Sequence, residues 1–366
     1  MKLEILKENL ERAVSVAARA TNKNLSLPVL GCVLISASEG KTEIRATNLD
    51  LSVEASLKAK VSEGGVVAVP AHVFMQTVSA ISDQKLTLKT EGNTLVIDGA
   101  QGKTSITLID PSEFPTLPHV KSGTGSEVTL PAKAFATILR SVAFSVAISN
   151  IKPEQASIYL SFENGELVAA ATDSFRLAEM RTPLKAKGSF GAILIPARNV
   201  PDILRVLDES GEVEIRVGEN QVSFISDFGI TTSRTVDGAF PDYQSVIPRN
   251  FVASATCLKE DAVRAFRKVS IFLDSFNQVH LSIKPSEKEF MVRALNTAVG
   301  ETIDKVPAAL DGEDLEINFN ARYIIEALGV MPGDSVVFSS AGAGRPMVMT
   351  DSPHKGFTYL VMPMNR

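Results

Sequence analysis

The chain has 366 residues, of which 45% are hydrophobic and 22% charged. That is enough apolar material for two or three packed domains and argues against disorder. A net charge of −5 excludes a protein that grips nucleic acid through overall basicity, so any role on DNA must rest on locally placed lysines and arginines.

In chain order, an amphipathic helix is expected over Leu6 to Ala20, then strands such as Lys41 to Arg45, a second helix over Ala71 to Ile81, and strands over Thr94 to Ile97 and Thr104 to Ile109. A helix over Pro131 to Val146 follows, with Phe135, Ile138, Leu139 and Val142 on one face, then a strand over Glu166 to Ala170 and a helix over Ala197 to Leu207. The last third repeats the order: a helix over Lys259 to Phe272, a strand over Phe290 to Arg293, and a helix over Ala321 to Leu328. Pro115 to Gly125 and Pro241 to Asn250 punctuate the joins. The segment Met1 to Val14 carries charge throughout and lacks the apolar core of a signal peptide, and no run approaches the ~18 apolar residues of a membrane helix. Cys32 and Cys257, far apart in apolar or small-residue surroundings, read as buried free thiols of a reducing cytosol. A cytoplasmic protein with no membrane partner is therefore expected.

Two markers recur along the chain. Asn48, Asp173 and Asn296 each follow a strand-like run, at steps of 125 and 123 residues. Ala71, Ala197 and Ala321 each open a second helix, at steps of 126 and 124 residues. A period this long is a domain rather than a solenoid repeat. The fold class is α+β, with three repeated domains over 1–120, 127–247 and 250–366, each with two helices and antiparallel sheets.

No site of covalent chemistry stands out. His72, His119, His280 and His354 have no metal-ligand spacing, and no Gly-x-Ser-x-Gly elbow occurs. Gly102-Lys103-Thr104 imitates the end of a phosphate-binding loop, but Ile97 stands where the first glycine belongs and the residues after it alternate like a strand. Gly342 and Gly344 read as a turn between strands. Asn48 and Asp173 read as residues that hydrogen-bond their own turns. No cofactor, metal or catalytic activity is expected.

The basic residues are patterned. Arg12 and Arg19 lie seven apart on the first helix, as do Lys133 and Arg140 on the third, and Arg198 and Arg205 on the fourth. Seven residues is nearly two helical turns, so each pair shares a face. Arg264, Arg267 and Lys268 give a similar cluster in the last third. A basic face of this kind contacts phosphates, which carry no sequence information.

Several strings resemble the bacterial sliding clamp family, the polymerase III beta-subunit type of processivity factor. They are Leu27-Pro28-Val29-Leu30-Gly31, the run Ala171-Thr172-Asp173-Ser174-Phe175-Arg176-Leu177-Ala178, Phe240-Pro241-Asp242-Tyr243, Phe319-Asn320 and Val361-Met362-Pro363-Met364. The resemblance covers essentially the whole chain. It implies the DNA-clamp fold and a head-to-tail homodimeric ring of six domains. Helices would line a hole for duplex DNA, and a clamp loader would hold the ATP. It implies a non-catalytic protein that tethers the replicative polymerase alpha subunit and other clamp-binding-motif proteins. A monomeric peptide-binding scaffold that does not encircle DNA is the alternative.

Carried over residue by residue, the family's peptide pocket falls on Thr172, Ser174, Phe175, Arg176, Leu177, Pro241, Ser245, Val246, Tyr323, Met362, Pro363 and Met364. Ser174 and Phe175 replace the more usual glycine and histidine or tyrosine, and Ser245 a common basic residue; these departures leave the preferred partner motif open but not the pocket itself. The resemblance adds Lys23 and Asn24 to Arg12, Arg19, Lys133, Arg140, Arg198 and Arg205 as DNA-facing. It puts the ring interface at Thr104, Ile106 and Leu108 of one subunit against Phe272 and Leu273 of the other.

Overall fold

The apolar periodicity of the first helices is realised as α1 (Lys7–Ala17), which buries Leu10, Ala13, Val14, Val16 and Ala17. The computed structural model describes residues 1–22, 26–123, 126–149, 151–352 and 356–364. Within them the other α-helices are α2 (Ala71–Ala80), α3 (Ala132–Val142), α4 (Val200–Val206), α5 (Lys259–Val269) and α6 (Ala321–Val330). The chain thus carries two helices per third, as the repeat requires.

The ends are shorter than the periodicity suggests. α1, α3 and α5 each finish in a 3-10 turn, Ala18–Ala20, Ala143–Ser145 and Ser270–Phe272. Such tightening is common where the last carbonyls lack intrahelical partners. α4 is preceded by a 3-10 turn, Ala197–Asn199, and has Pro201 in its first turn, where the missing N–H costs nothing. Arg19 and Arg198 therefore stand on 3-10 turns beside their helices rather than within them.

The strands form four antiparallel sheets. By contacts the chain divides into two compact units. The first comprises Met1–Ala136, Ala186–Phe190 and Arg198–Thr235, and the second Thr137–Lys185, Gly191–Ala197 and Val236–Arg366. The first unit holds a five-stranded sheet and an eight-stranded one. In the larger, Gly229–Arg234 pairs antiparallel with Leu51–Leu57, so one sheet runs through two repeats; we call this the first junction. Phe135 and Phe224 pack with ring centroids 5.3 Å apart in this unit's core, and both are fully buried. Such a pair adds about 1 kcal/mol beyond area burial.

The second unit has a nine-stranded sheet and a four-stranded one. Phe357–Val361 pairs antiparallel with Arg176–Pro183 in the nine-stranded sheet, forming the second junction. Phe338 lies between Phe266 and Phe290 at 6.4 and 5.4 Å.

The turn residues behave as their chemistry dictates. Asn48 Oδ1 accepts from the N–H groups of Asp50 (3.0 Å) and Leu51 (2.8 Å), and Thr47 Oγ1 donates to the Leu51 carbonyl at 2.9 Å. Asp173 Oδ1 accepts from Phe175 (2.9 Å) and Arg176 (3.0 Å), and Thr172 Oγ1 donates to the Arg176 carbonyl at 2.7 Å. Leu49 and Ser174 hold matching left-handed positions, φ 75° and 77°. The third copy differs: Leu295 replaces the threonine, and Asn296 Nδ2 reaches the Leu273 carbonyl at 2.7 Å.

The decoy motif enters the strand Lys103–Thr107, not a helix, and Gly342 and Gly344 lie in the turn between Ser335–Ser340 and Met347–Ser352.

Candidate functional site

At the second junction, the Asp173 turn delivers Arg176 into the sheet opposite Val361 and Leu177 opposite Leu360. Arg176 is only 7% exposed. Its Nε donates to Asp173 Oδ2 at 2.9 Å, and Nη1 pairs with Glu326 of α6. The guanidinium lies 4.4 Å from the Tyr323 ring centre and 5.6 Å from that of Phe144, a cation–π arrangement. Burial works against its charge, but the Glu326 hydrogen bond and the surrounding negative groups outweigh it and raise its pKa. Burial has the opposite effect on the neighbouring Tyr323 phenol, whose pKa it raises. The Tyr359 hydroxyl donates to the Tyr323 carbonyl at 2.9 Å, tying α6 to the last strand.

The C-terminal tail crosses this cluster. Met362 N–H donates to the Phe175 carbonyl at 2.8 Å, and Met364 N–H to that of Asn318 at 2.8 Å. On the other side the linker contributes Pro241 and Val246 through Tyr243, whose N–H donates to the Pro241 carbonyl (2.7 Å) and whose carbonyl accepts from Val246 N–H (3.2 Å). Tyr243 packs with Leu177, Val348 and Leu360 in a buried cluster. Phe175, Val246 and Met362 remain 62%, 55% and 39% exposed. The result is an apolar surface around one buried cation, suited to an extended peptide.

Three side chains assigned to the pocket are already committed to hydrogen bonds. The Thr172 hydroxyl is spent on its own turn, and Ser174 Oγ is bonded to Gln155 at 3.0 Å. Ser245 Oγ donates to the Asp242 carbonyl at 2.8 Å. Pro363 is half-buried between the two anchoring hydrogen bonds. Glu326, Phe144 and Asn318 belong to the cluster but were missed in the sequence. Glu326 had a findable signal, since it sits three residues after Tyr323 on the same helical face.

The basic residues Arg12, Arg19, Lys133, Arg140, Arg198 and Arg205 are all exposed. Arg12 lies 4.3 Å over the Phe228 ring, Arg198 pairs with Asp50 at 2.9 Å and Arg205 with Asp202 at 3.0 Å. Lys23 and Asn24 lie outside the described residues. Lys103–Thr107 is an edge strand of its sheet. On it Thr104 is exposed and Ile106 only 5% exposed, while Leu108 follows the strand, half-buried. Phe272 and Leu273 are half-buried too. The apolar surface nearby, which the sequence did not single out, is Ile271, Phe276, Val299 and Ile303.

Three family models match the chain end to end. They describe the DNA polymerase III beta subunit: its N-terminal domain over residues 1–118, central domain over 129–242 and C-terminal domain over 244–365. The chain belongs to the DNA polymerase III beta subunit family. Among its relatives are the beta sliding clamps of Synechococcus elongatus, 29% identical over 100% of this chain and 99% of that one, and of Caulobacter vibrioides, 27% identical over the full length of both. The fold agrees with the crystal structure of the DNA polymerase III beta subunit from Thermotoga maritima, at a TM-score of 0.93 and 24% identity, covering 100% of this chain and 99% of that one. It also agrees with a Pseudomonas aeruginosa clamp bound to griselimycin, at 0.93 and 21% over the full length of both. The clamp family's fold is thus present here, with three domains of helices and antiparallel sheet. Among the described residues no helix is long and apolar enough to cross a membrane, and no group of three or more His, Cys, Asp or Glu is placed to hold a metal ion.

Proposed function

We infer that the chain is a sliding clamp: a non-catalytic, cytoplasmic subunit that closes as a homodimer around duplex DNA and tethers the replicative polymerase and other proteins to it. The observation that carries this is the full-length match to all three domains of the family, in order. The repeated domains take the bounds 1–120, 127–247 and 250–366. The exposed arginines and lysines of the helices and adjoining turns would contact phosphates, which resets nothing when the protein moves by one base pair. Each contact releases counterions and weakens with salt.

Closure would join the edge strand Lys103–Thr107 of one subunit to the last domain of its partner. That strand presents unpaired backbone groups along its free side, as does Gly300–Lys305, the edge strand of the four-stranded sheet. Ile271, Phe272, Leu273 and Phe276 would supply the apolar contact. The second junction is the docking site for linear motifs of the polymerase alpha subunit, the clamp loader and other partners, with Arg176, Leu177, Tyr323 and Met362 at its centre.

Sedimentation equilibrium tests the ring. A dimer is expected at micromolar concentration, and the Phe272→Ala, Leu273→Ala double variant should be monomeric. A monomeric parent protein contradicts the ring and leaves a peptide-binding scaffold.

A further inference from the structure

Glu179 is a buried carboxylate, 5% exposed, on the strand Arg176–Pro183. A carboxylate is tolerated in such a place only when fully paired. Arg181 supplies both halves of a fork, Nε to Oε1 and Nη2 to Oε2, each at 2.9 Å, and its Nη1 reaches Glu166 at 2.9 Å. The third donor is the Tyr243 hydroxyl, 2.6 Å from Oε2. The Tyr243 ring is fixed in turn, edge-on to Phe240 at 5.8 Å and to Tyr159 at 6.2 Å. Its backbone then sets Pro241 and Val246 through the two hydrogen bonds already described.

The first junction repeats the device. Glu54 stands at the position equivalent to Glu179, 125 residues earlier, and is 8% exposed. Its carboxylate lies against the following linker, Oε1 2.6 Å from His119 Nε2 and Oε2 2.8 Å from Arg45 Nε, as close contacts rather than directed hydrogen bonds. A buried glutamate set against the next linker thus occurs twice, facing two different linker side chains, and only the second is tied by a hydrogen bond. Recurrence separates this arrangement from an accidental buried ion pair.

We propose that Glu179 is a positioning residue for peptide docking: through the Tyr243 hydroxyl it holds Pro241 to Val246 as the wall that a bound peptide meets. The inference rests on the docking reading of the second junction. It makes peptide affinity depend on a hydroxyl and a carboxylate that the peptide itself does not touch.

The test uses the full-length protein and a fluorescein-labelled peptide carrying the clamp-binding motif of the same organism's polymerase alpha subunit. Tyr243→Phe removes one hydroxyl and keeps the ring in its aromatic cluster. Glu179→Ala removes the acceptor, and Glu179→Gln restores one. We expect Tyr243→Phe and Glu179→Ala each to weaken binding about three- to tenfold, mainly through faster dissociation. Glu179→Gln should recover most of the loss, a rescue that general destabilisation would not produce. The Glu179→Ala, Tyr243→Phe double variant should bind no worse than Glu179→Ala alone, because both act through one contact. Binding by both single variants within about twofold of the parent, or losses that add, would overturn the proposal. If Glu179→Ala does not fold, Tyr243→Phe decides alone. A chain lacking Met362 to Arg366 is measured in parallel. If the parent does not bind the peptide, or the shortened chain binds it equally well, the docking reading itself fails and this inference with it.

Discussion

At the first junction Leu51 pairs with Ser233, and the next residue, Arg234, donates its N–H to the Asp50 carbonyl at 2.9 Å. At the second, Arg176 pairs with Val361, and the next residue, Met362, donates its N–H to the Phe175 carbonyl at 2.8 Å. The backbone plan is the same in both, down to the threonine–Asx turn and its left-handed residue. The side chains are not. Leucine at 51 answers to arginine at 176, arginine at 234 to methionine at 362, and histidine at 119 stands near the position of tyrosine at 243. The first junction borders a cavity of about 470 Å³ lined mostly by polar groups, including Ser52, Asn220, Gln221 and Arg234. The second presents apolar surface and a buried cation. Backbone hydrogen bonds therefore fix the junction, and on the proposed reading a few side chains placed on it would decide whether it receives a peptide.

That contrast can be broken in several ways. The largest expected effect is loss of peptide binding on deleting Met362 to Arg366, measured by fluorescence anisotropy, with the dimer intact; the first junction has no tail and should not compensate. Next is Arg176→Ala. Removing one member of a buried ionic cluster should cost about 3 kcal/mol, read as a lower urea midpoint, and should also abolish docking. Leu51→Ala, its counterpart, should cost about 2–4 kcal/mol through a cavity and leave docking unchanged. The smallest effect sharpens the likeness: Thr47→Val and Thr172→Val should each cost about 1 kcal/mol, and nearly the same amount, because each loses the same turn hydrogen bonds.

A further check concerns the thiols, which lie apart from either surface. Burial pushes Cys32 up to about 11 and Cys257 up to about 12 from an ordinary 9.0. Folding therefore favours the protonated thiols, and their stabilising effect, complete below the unfolded value, is lost as pH rises through the folded values. Neither cysteine should react with iodoacetamide at pH 8 until denaturant is added.

The helices, the repeat and the threonine–Asx turns were legible in the sequence because their physics is local. A side chain that bonds two or three residues ahead leaves a mark on the string. Helix ends were overextended because apolar periodicity continues through a 3-10 turn. The long-range ionic contacts of the site left far less, only the three-residue spacing of Tyr323 and Glu326 on one helix. Arg176 and Glu326 are 150 residues apart, and Glu179 and Tyr243 are 64 apart, so only the fold shows that they meet. Ile271 and Phe276 escape notice in the string for the opposite reason: there their apolar character looks like core, and only the fold shows that they are exposed.

Phosphate contacts alone would hold a protein weakly to DNA and would do so equally well on a line or a circle. The most direct test of the clamp is therefore topological. The protein is loaded onto nicked circular DNA, the circle is then cut once, and the bound fraction is followed. A closed ring should stay on the circle and run off the ends once the DNA is linear. Protein that remains bound after linearisation, at the same salt, would contradict encirclement and leave only a groove that grips the backbone.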